Sequence, residues 1–224
     1  QSHVRRDLPR AASLGSGAVA RGSARLRQVG LTMLSSRAAN RKLPQYNVRP
    51  ARSIDGPTIL SINRQGNPSV SALDPSEVER LLLISPWFRV VEDAGLITGY
   101  LIALTSAAAY DGEEFLWFTR SFDHFVYIDQ VAVAQERRGK GAASALYADL
   151  ETFARVRRIP LLTCEINLRP ENEPSLAFHT RQGFVEVAKL ESRDGRLVSL
   201  RVKQLGNYYA EKLSGERLRE CYEI

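Results

Sequence analysis

Residues 127–150, YIDQVAVAQERRGKGAASALYADL, set the expectation for the whole chain. They pass from strand-like alternation, through a charged loop with two glycines, into an amphipathic helix. Gly139 and Gly141 carry no Cβ, so the backbone there can take unusual dihedrals and a ligand can come close. A helix beginning near Gly141 exposes unpartnered N–H groups and the positive end of its dipole in the first turn. Ala142 and Ala143 are too small to cover those groups, and Ser144 follows them. Arg137, Arg138 and Lys140 add cationic reach. Together these features describe a diphosphate site built mainly from backbone.

Two familiar phosphate loops do not fit. A Walker loop places Ser or Thr after the lysine, whereas Gly141 follows Lys140. A Rossmann fingerprint has its first glycine close behind the strand. Here Ala134 to Arg138 separate Val133 from Gly139, and Ser144 stands where the third glycine belongs.

Working outward, the pattern predicts a helix over 72–85, with Asp74 as N-cap and Pro75 in the first turn. Strands are predicted at 87–93 and 96–105, joined by a tight turn at Ala94-Gly95. Residues 107–114 read as a loop and 115–122 as an aromatic stretch without a clear period. Further strands fall at 124–134, 161–168, 184–191 and 197–205, with Asp194-Gly195 turning the last pair. Helices fall at 141–158 and 173–182, the second closed by Gly183. The order implies an α/β (α+β) mixed sheet flanked by helices, with its ligand crevice at the carboxyl ends of the parallel strands. The domain is expected to span 57–205.

RGKGAA (138–143), preceded by VAVAQER, is followed by the strand LLTCEINL and then by NEPSLAFHTRQGF (172–184). In order and spacing these motifs resemble the GNAT acetyltransferase superfamily over roughly residues 57–204. The resemblance implies a central splayed sheet and acetyl-CoA as cosubstrate, without a metal. It places the pantetheine arm along Val131, Ala132 and Val133 and the pyrophosphate on Arg138, Gly139, Lys140, Gly141, Ala142, Ala143 and Ser144. Asn172 is implied as a pantetheine ligand, with Phe178 and Arg181 flanking the cofactor.

The implied reaction is N-acetylation of an amine by direct transfer. Asp129 is the first candidate base, and strict alternation puts it on one face with Tyr127, Val131 and Val133. Glu165 on the neighbouring strand is the rival. His179 stands where the family commonly has a tyrosine that protonates the departing thiolate, and an imidazolium can donate near neutral pH. Trp117, Phe118 and Phe122, with Glu113 or Glu114, are expected either to line the amine pocket or to form an edge strand packed on the core. The alternative function is a non-catalytic acyl-CoA-binding or sensor module.

Residues 1–50 hold ten Lys/Arg and one acid, whereas 51–224 hold 21 basic and 24 acidic residues. The basic character belongs to the N-terminal segment, so the domain itself gives no bulk electrostatic case for nucleic acid. That segment (1–56 at its widest) has the composition of a mitochondrial or plastid transit peptide, with a basic extension of a cytoplasmic protein as the alternative. No apolar run is long enough for a membrane span. Residues 206–224 suggest a terminal helix that would complete a homodimer surface. Cys164 reads as a small buried hydrophobe, and Cys164 and Cys221 match no metal spacing.

Overall fold

In the computed structural model, which describes residues 46–206, the alternating apolar segments form seven strands among the described residues. These are β1 (Asn47–Pro50), β2 (Trp87–Asp93), β3 (Leu96–Thr105), β4 (Phe125–Val133), β5 (Leu161–Arg169), β6 (Val185–Glu191) and β7 (Leu197–Gln204). Five helices accompany them: α1 (Gly56–Gly66), α2 (Pro75–Ile84), α3 (Glu113–Ser121), α4 (Ala142–Val156) and α5 (Glu173–Arg181). The sheet order is β1-β2-β3-β4-β5-β7-β6, and β4/β5 is its parallel pair.

Local chemistry explains several boundaries. Asp74 accepts a hydrogen bond from the Glu77 amide at 2.8 Å and starts α2. Ala94 and Gly95 both adopt positive φ, at 51° and 80°, which is the geometry a two-residue hairpin between β2 and β3 requires. Gly183, at φ 88°, ends the chain's helical course after α5.

Two expectations need correction. The domain does not begin at residue 57, because β1 pairs with β2 from Asn47↔Glu92 to Pro50↔Arg89. Arg49 anchors this strand by bonding Glu92 at 2.7 Å and Asp55 at 2.7 Å. Residues 56–66 form α1, whose Ile59, Ile62 and Asn63 share a buried face. Residues 113–121 form a helix rather than a loop and an edge strand. Phe115 and Phe118, spaced for one helical face, bury themselves against Phe125 and Tyr127 of β4. Residues 1–45 of the expected transit segment and 207–224 of the expected C-terminal helix lie outside the described residues.

The sheet opens at β4. Strands β4 and β5 pair only from Phe125↔Leu161 to Ile128↔Cys164. Beyond that point β4 runs on to Val133 beside β3 alone, and β5 runs on to Arg169 beside β7. The register against β3 also slips here: Ile102 faces Gln130 while Ala103 faces Ile128, so Asp129 has no partner across the ladder. Such a bulge reverses the alternation of side chains. Tyr127 therefore packs with α3, whereas Val131 and Val133 pack with the α4 cluster. The expected common face of Tyr127, Asp129, Val131 and Val133 is broken at the bulge.

Candidate active site

The gap between β4 and β5 opens into a cleft of about 990 Å³. Val131, Ala132 and Val133 line one wall, and Asn172, Phe178 and Arg181 line the other. At one end stand Arg138, Gly139, Gly141, Ala142, Ala143 and Ser144. The first bond of α4 runs from the Ala145 amide to the Gly141 carbonyl at 3.0 Å, so the amides of residues 142–144 have no helical partner. Gly139, at φ 72°, has no atom within 4 Å of where a Cβ would sit. Free strand-edge amides, free helix-terminal amides and this open space suit a long ligand ending in a diphosphate.

The loop's cations are used differently from the expectation. Arg137 bonds Asp93 at 2.7 Å. Arg138 donates to the Val133 carbonyl at 3.1 Å and the Gln65 carbonyl at 3.0 Å, tying the end of β4 to α1. Lys140 donates back to the Glu136 carbonyl at 2.9 Å and does not line the cleft. A diphosphate placed here would thus meet chiefly backbone amides, as the geometry of α4 requires. Asn172 caps α5 by accepting from the Ser175 amide at 3.3 Å and borders the cleft.

Asp129 and Glu165 come together at the point of the splay. Both line the cleft and also a second cavity of about 290 Å³, which shares Ser71, Ala72, Gln130 and Arg196 with it. Tyr110 donates to Asp129 Oδ1 at 2.6 Å. Burial, only partly offset by that bond, pushes the Asp129 carboxyl up to about 6. Burial, then the charges of Glu114 and Asp129, push Glu165 up to about 8. Of the two, Asp129 is therefore the readier to ionise near neutral pH and Glu165 the readier to keep a proton.

His179 is buried, and both its ring nitrogens are engaged. Nδ1 lies 2.8 Å from the Ser175 carbonyl, which can only accept, so Nδ1 holds the hydrogen. Nε2 then accepts from the Tyr147 hydroxyl at 2.6 Å. Burial lowers His179 to about 4, which keeps it neutral. This geometry fits a ring that positions α5 against α4 and does not fit an imidazolium donor. Cys164 is buried and its thiol is pushed up by desolvation, in keeping with an inert core residue.

Other site residues gave no sequence signal. Asn63 of α1 donates to the Ser71 carbonyl at 2.9 Å and accepts from the Leu73 amide at 2.9 Å. Gln130 accepts from Tyr100 at 2.9 Å and donates to the same Ser71 carbonyl at 3.2 Å. This buried network holds the 67–73 loop at the mouth of both cavities. Its members are far apart in sequence, so no motif announces them. Trp117, Phe118 and Phe122 pack on one another and line neither cavity, whereas Glu114 lines the smaller one.

Residues 73–184 match the acetyltransferase (GNAT) family model. The chain belongs to the GNAT acetyltransferase family. No curated protein gives a significant match. Among solved GNAT-fold structures, Naa20 of Chaetomium thermophilum, in complex with a bisubstrate analogue, is 19% identical with a TM-score of 0.60, over 76% of this chain and 92% of that one. The ribosomal-protein-alanine N-acetyltransferase of Brucella melitensis is 25% identical with a TM-score of 0.54, over 70% and 99%. The yncA protein of Salmonella typhimurium, solved with its cofactor acetyl-CoA, is 21% identical with a TM-score of 0.53, over 72% and 95%. The splayed mixed sheet of this GNAT chain agrees with all three.

Proposed function

We propose that this GNAT protein transfers the acetyl group of acetyl-CoA directly to an amine. The observation that carries the reading is the pair of carboxyls, Asp129 and Glu165, that line the cleft together where β4 and β5 part, with Glu165 pushed up further than Asp129 by burial. Acetyl-CoA supplies an acetyl group activated as a thioester. The edge amides of Val131 and Val133 and the amides of residues 142–144 are suited to hold it, and the free edge of β4 offers a donor to the carbonyl oxygen.

Asp129 takes the proton that the amine must lose, directly or through water in the smaller cavity. Tyr110 fixes the orientation of that carboxylate. The amine nitrogen bonds the acetyl carbon as the carbon–sulfur bond breaks. Glu165 holds a proton that can pass to the sulfur, which leaves as the thiol. His179 takes no proton and instead fixes α5 through Tyr147 and Ser175.

The test is CoA release by the purified chain with acetyl-CoA and a panel of amines. Turnover that falls about 100-fold or more in Asp129→Asn, with acetyl-CoA affinity intact, supports the reading. Tight acetyl-CoA binding with no turnover for any amine class would leave a sensor module instead.

A further inference from the structure

We propose that the acceptor is a linear aliphatic diamine or polyamine, anchored by its second ammonium in the acidic 290 Å³ cavity; this rests on the acyl-transfer reading above. Among the described residues, Asp74, Glu77, Glu114, Asp129 and Glu165 line that cavity against a single lining cation, Arg196. Setting aside Glu165, which burial pushes up to about 8, four carboxyls remain against two guanidiniums even when Arg80, which grips Glu77 through two bonds of 2.9 and 2.7 Å, is counted. Arg196 is itself taken up by Asp194 at 2.6 Å and Glu114 at 3.3 Å. The Glu165 Oε2 atom is buried with no hydrogen-bond partner among the described residues, and Glu165 borders the cavity. Asp129, bonded by the Tyr110 hydroxyl, faces the same cavity, and a cation is the ligand that complements its carboxylate and the remaining acids of the wall.

The acids divide into two groups by position. Asp129 and Glu165 border both the cleft and the cavity, whereas Asp74, Glu77 and Glu114 border the cavity alone. An amine reacting beside the first pair can place a second ammonium among the other three. At about 30 Å³ per water-sized group, the cavity holds a chain of roughly ten heavy atoms. Polar walls and this limited room favour a slender, flexible cation over a folded protein segment. An acceptor bearing a carboxylate meets repulsion from the same walls.

The experiment measures CoA release by the full chain with putrescine, spermidine, n-butylamine and 4-aminobutanoate. The expected kcat/KM for putrescine and spermidine exceeds that for n-butylamine by at least about tenfold, with 4-aminobutanoate lowest. The gap narrows at high salt. It also narrows in Glu77→Gln, which raises the KM for spermidine about three- to fivefold and that for n-butylamine less. If n-butylamine or a neutral peptide matches spermidine, the anchor falls while acyl transfer stands. If no amine is acetylated, calorimetry separates the claims. Spermidine binding in the presence of CoA would keep the anchor and end the transfer reading, whereas no binding would end both.

Discussion

Replacing Asp129 by Asn should raise stability while cutting turnover about 100-fold or more. The folded protein holds this carboxyl at about 6, against 3.8 for a solvated one. Ionising it inside the fold costs on the order of 3 kcal/mol, at about 1.4 kcal/mol per pH unit. Water entering through the cavity screens the half-buried group, so roughly 1–3 kcal/mol is the expected gain. Asn keeps an oxygen for the Tyr110 hydroxyl and removes the charge. The sign follows from proton counting: between pH 3.8 and about 6 the folded state binds more protons than the unfolded one. Wild-type stability therefore drops across that window, and the drop is complete above it. Scanning calorimetry of both proteins from pH 4 to pH 8 should show no difference at the acid end. At the neutral end the Asp129→Asn variant should melt about 3–10 °C higher. An advantage that is absent, or equal at every pH, would refute the electrostatic account of this carboxylate.

The profile of kcat/KM against pH should be bell-shaped, rising through about 6 with Asp129 and falling above about 8 with Glu165. At pH 5 the rate should be about tenfold below its plateau, and Asp129→Asn should erase the rising limb. His179→Phe strands the buried Tyr147 hydroxyl and should lower stability by about 1–3 kcal/mol in thermal melts, with both limbs of the profile retained. Loss of the falling limb would make the imidazole the proton donor after all. In Gly99→Ala the new Cβ would meet the Ala132 carbonyl oxygen at 2.8 Å and the Val133 side chain at 3.1 Å. That crowding should destabilise the fold by about 1–3 kcal/mol and weaken acetyl-CoA affinity, because it displaces the free end of β4; unchanged melting and affinity would count against the geometry.

Much of the fold was legible because its strands alternate and its helices carry caps and glycines at their ends. Asp74, Gly95, Gly141 and Gly183 each mark a boundary that the structure keeps. α3 was obscured because its aromatic residues suit a strand as well as a helix, and only burial of Phe115 and Phe118 against β4 decides between them. β1 was hidden in the basic segment, since a four-residue edge strand ending in Pro50 has too little pattern to stand out.

The site divides the same way. The cleft's backbone amides follow from a contiguous motif, 138–144, and so could be anticipated. The bulge at Asp129 could not, because it arises from pairing with β3 and leaves no mark in β4's own alternation. His179 looked like a donor by its position in α5. Its neutrality comes from burial, and its Nε2 is occupied by Tyr147, which is 32 residues away in sequence and one hydroxyl away in space. Tyr110, Asn63 and Gln130 are single polar residues that gain meaning only through the contacts the fold brings about.

The central claim is that acetyl-CoA lies in the opening between β4 and β5, with its diphosphate on the amides around Gly139. Isothermal titration calorimetry of acetyl-CoA into the full chain tests it directly. One-to-one binding that Gly139→Val weakens by at least about tenfold is the predicted result, because a β-branched residue strains the φ 72° turn and adds a side chain to the cleft lining. No binding, or equal affinity in a folded Gly139→Val protein, would contradict it.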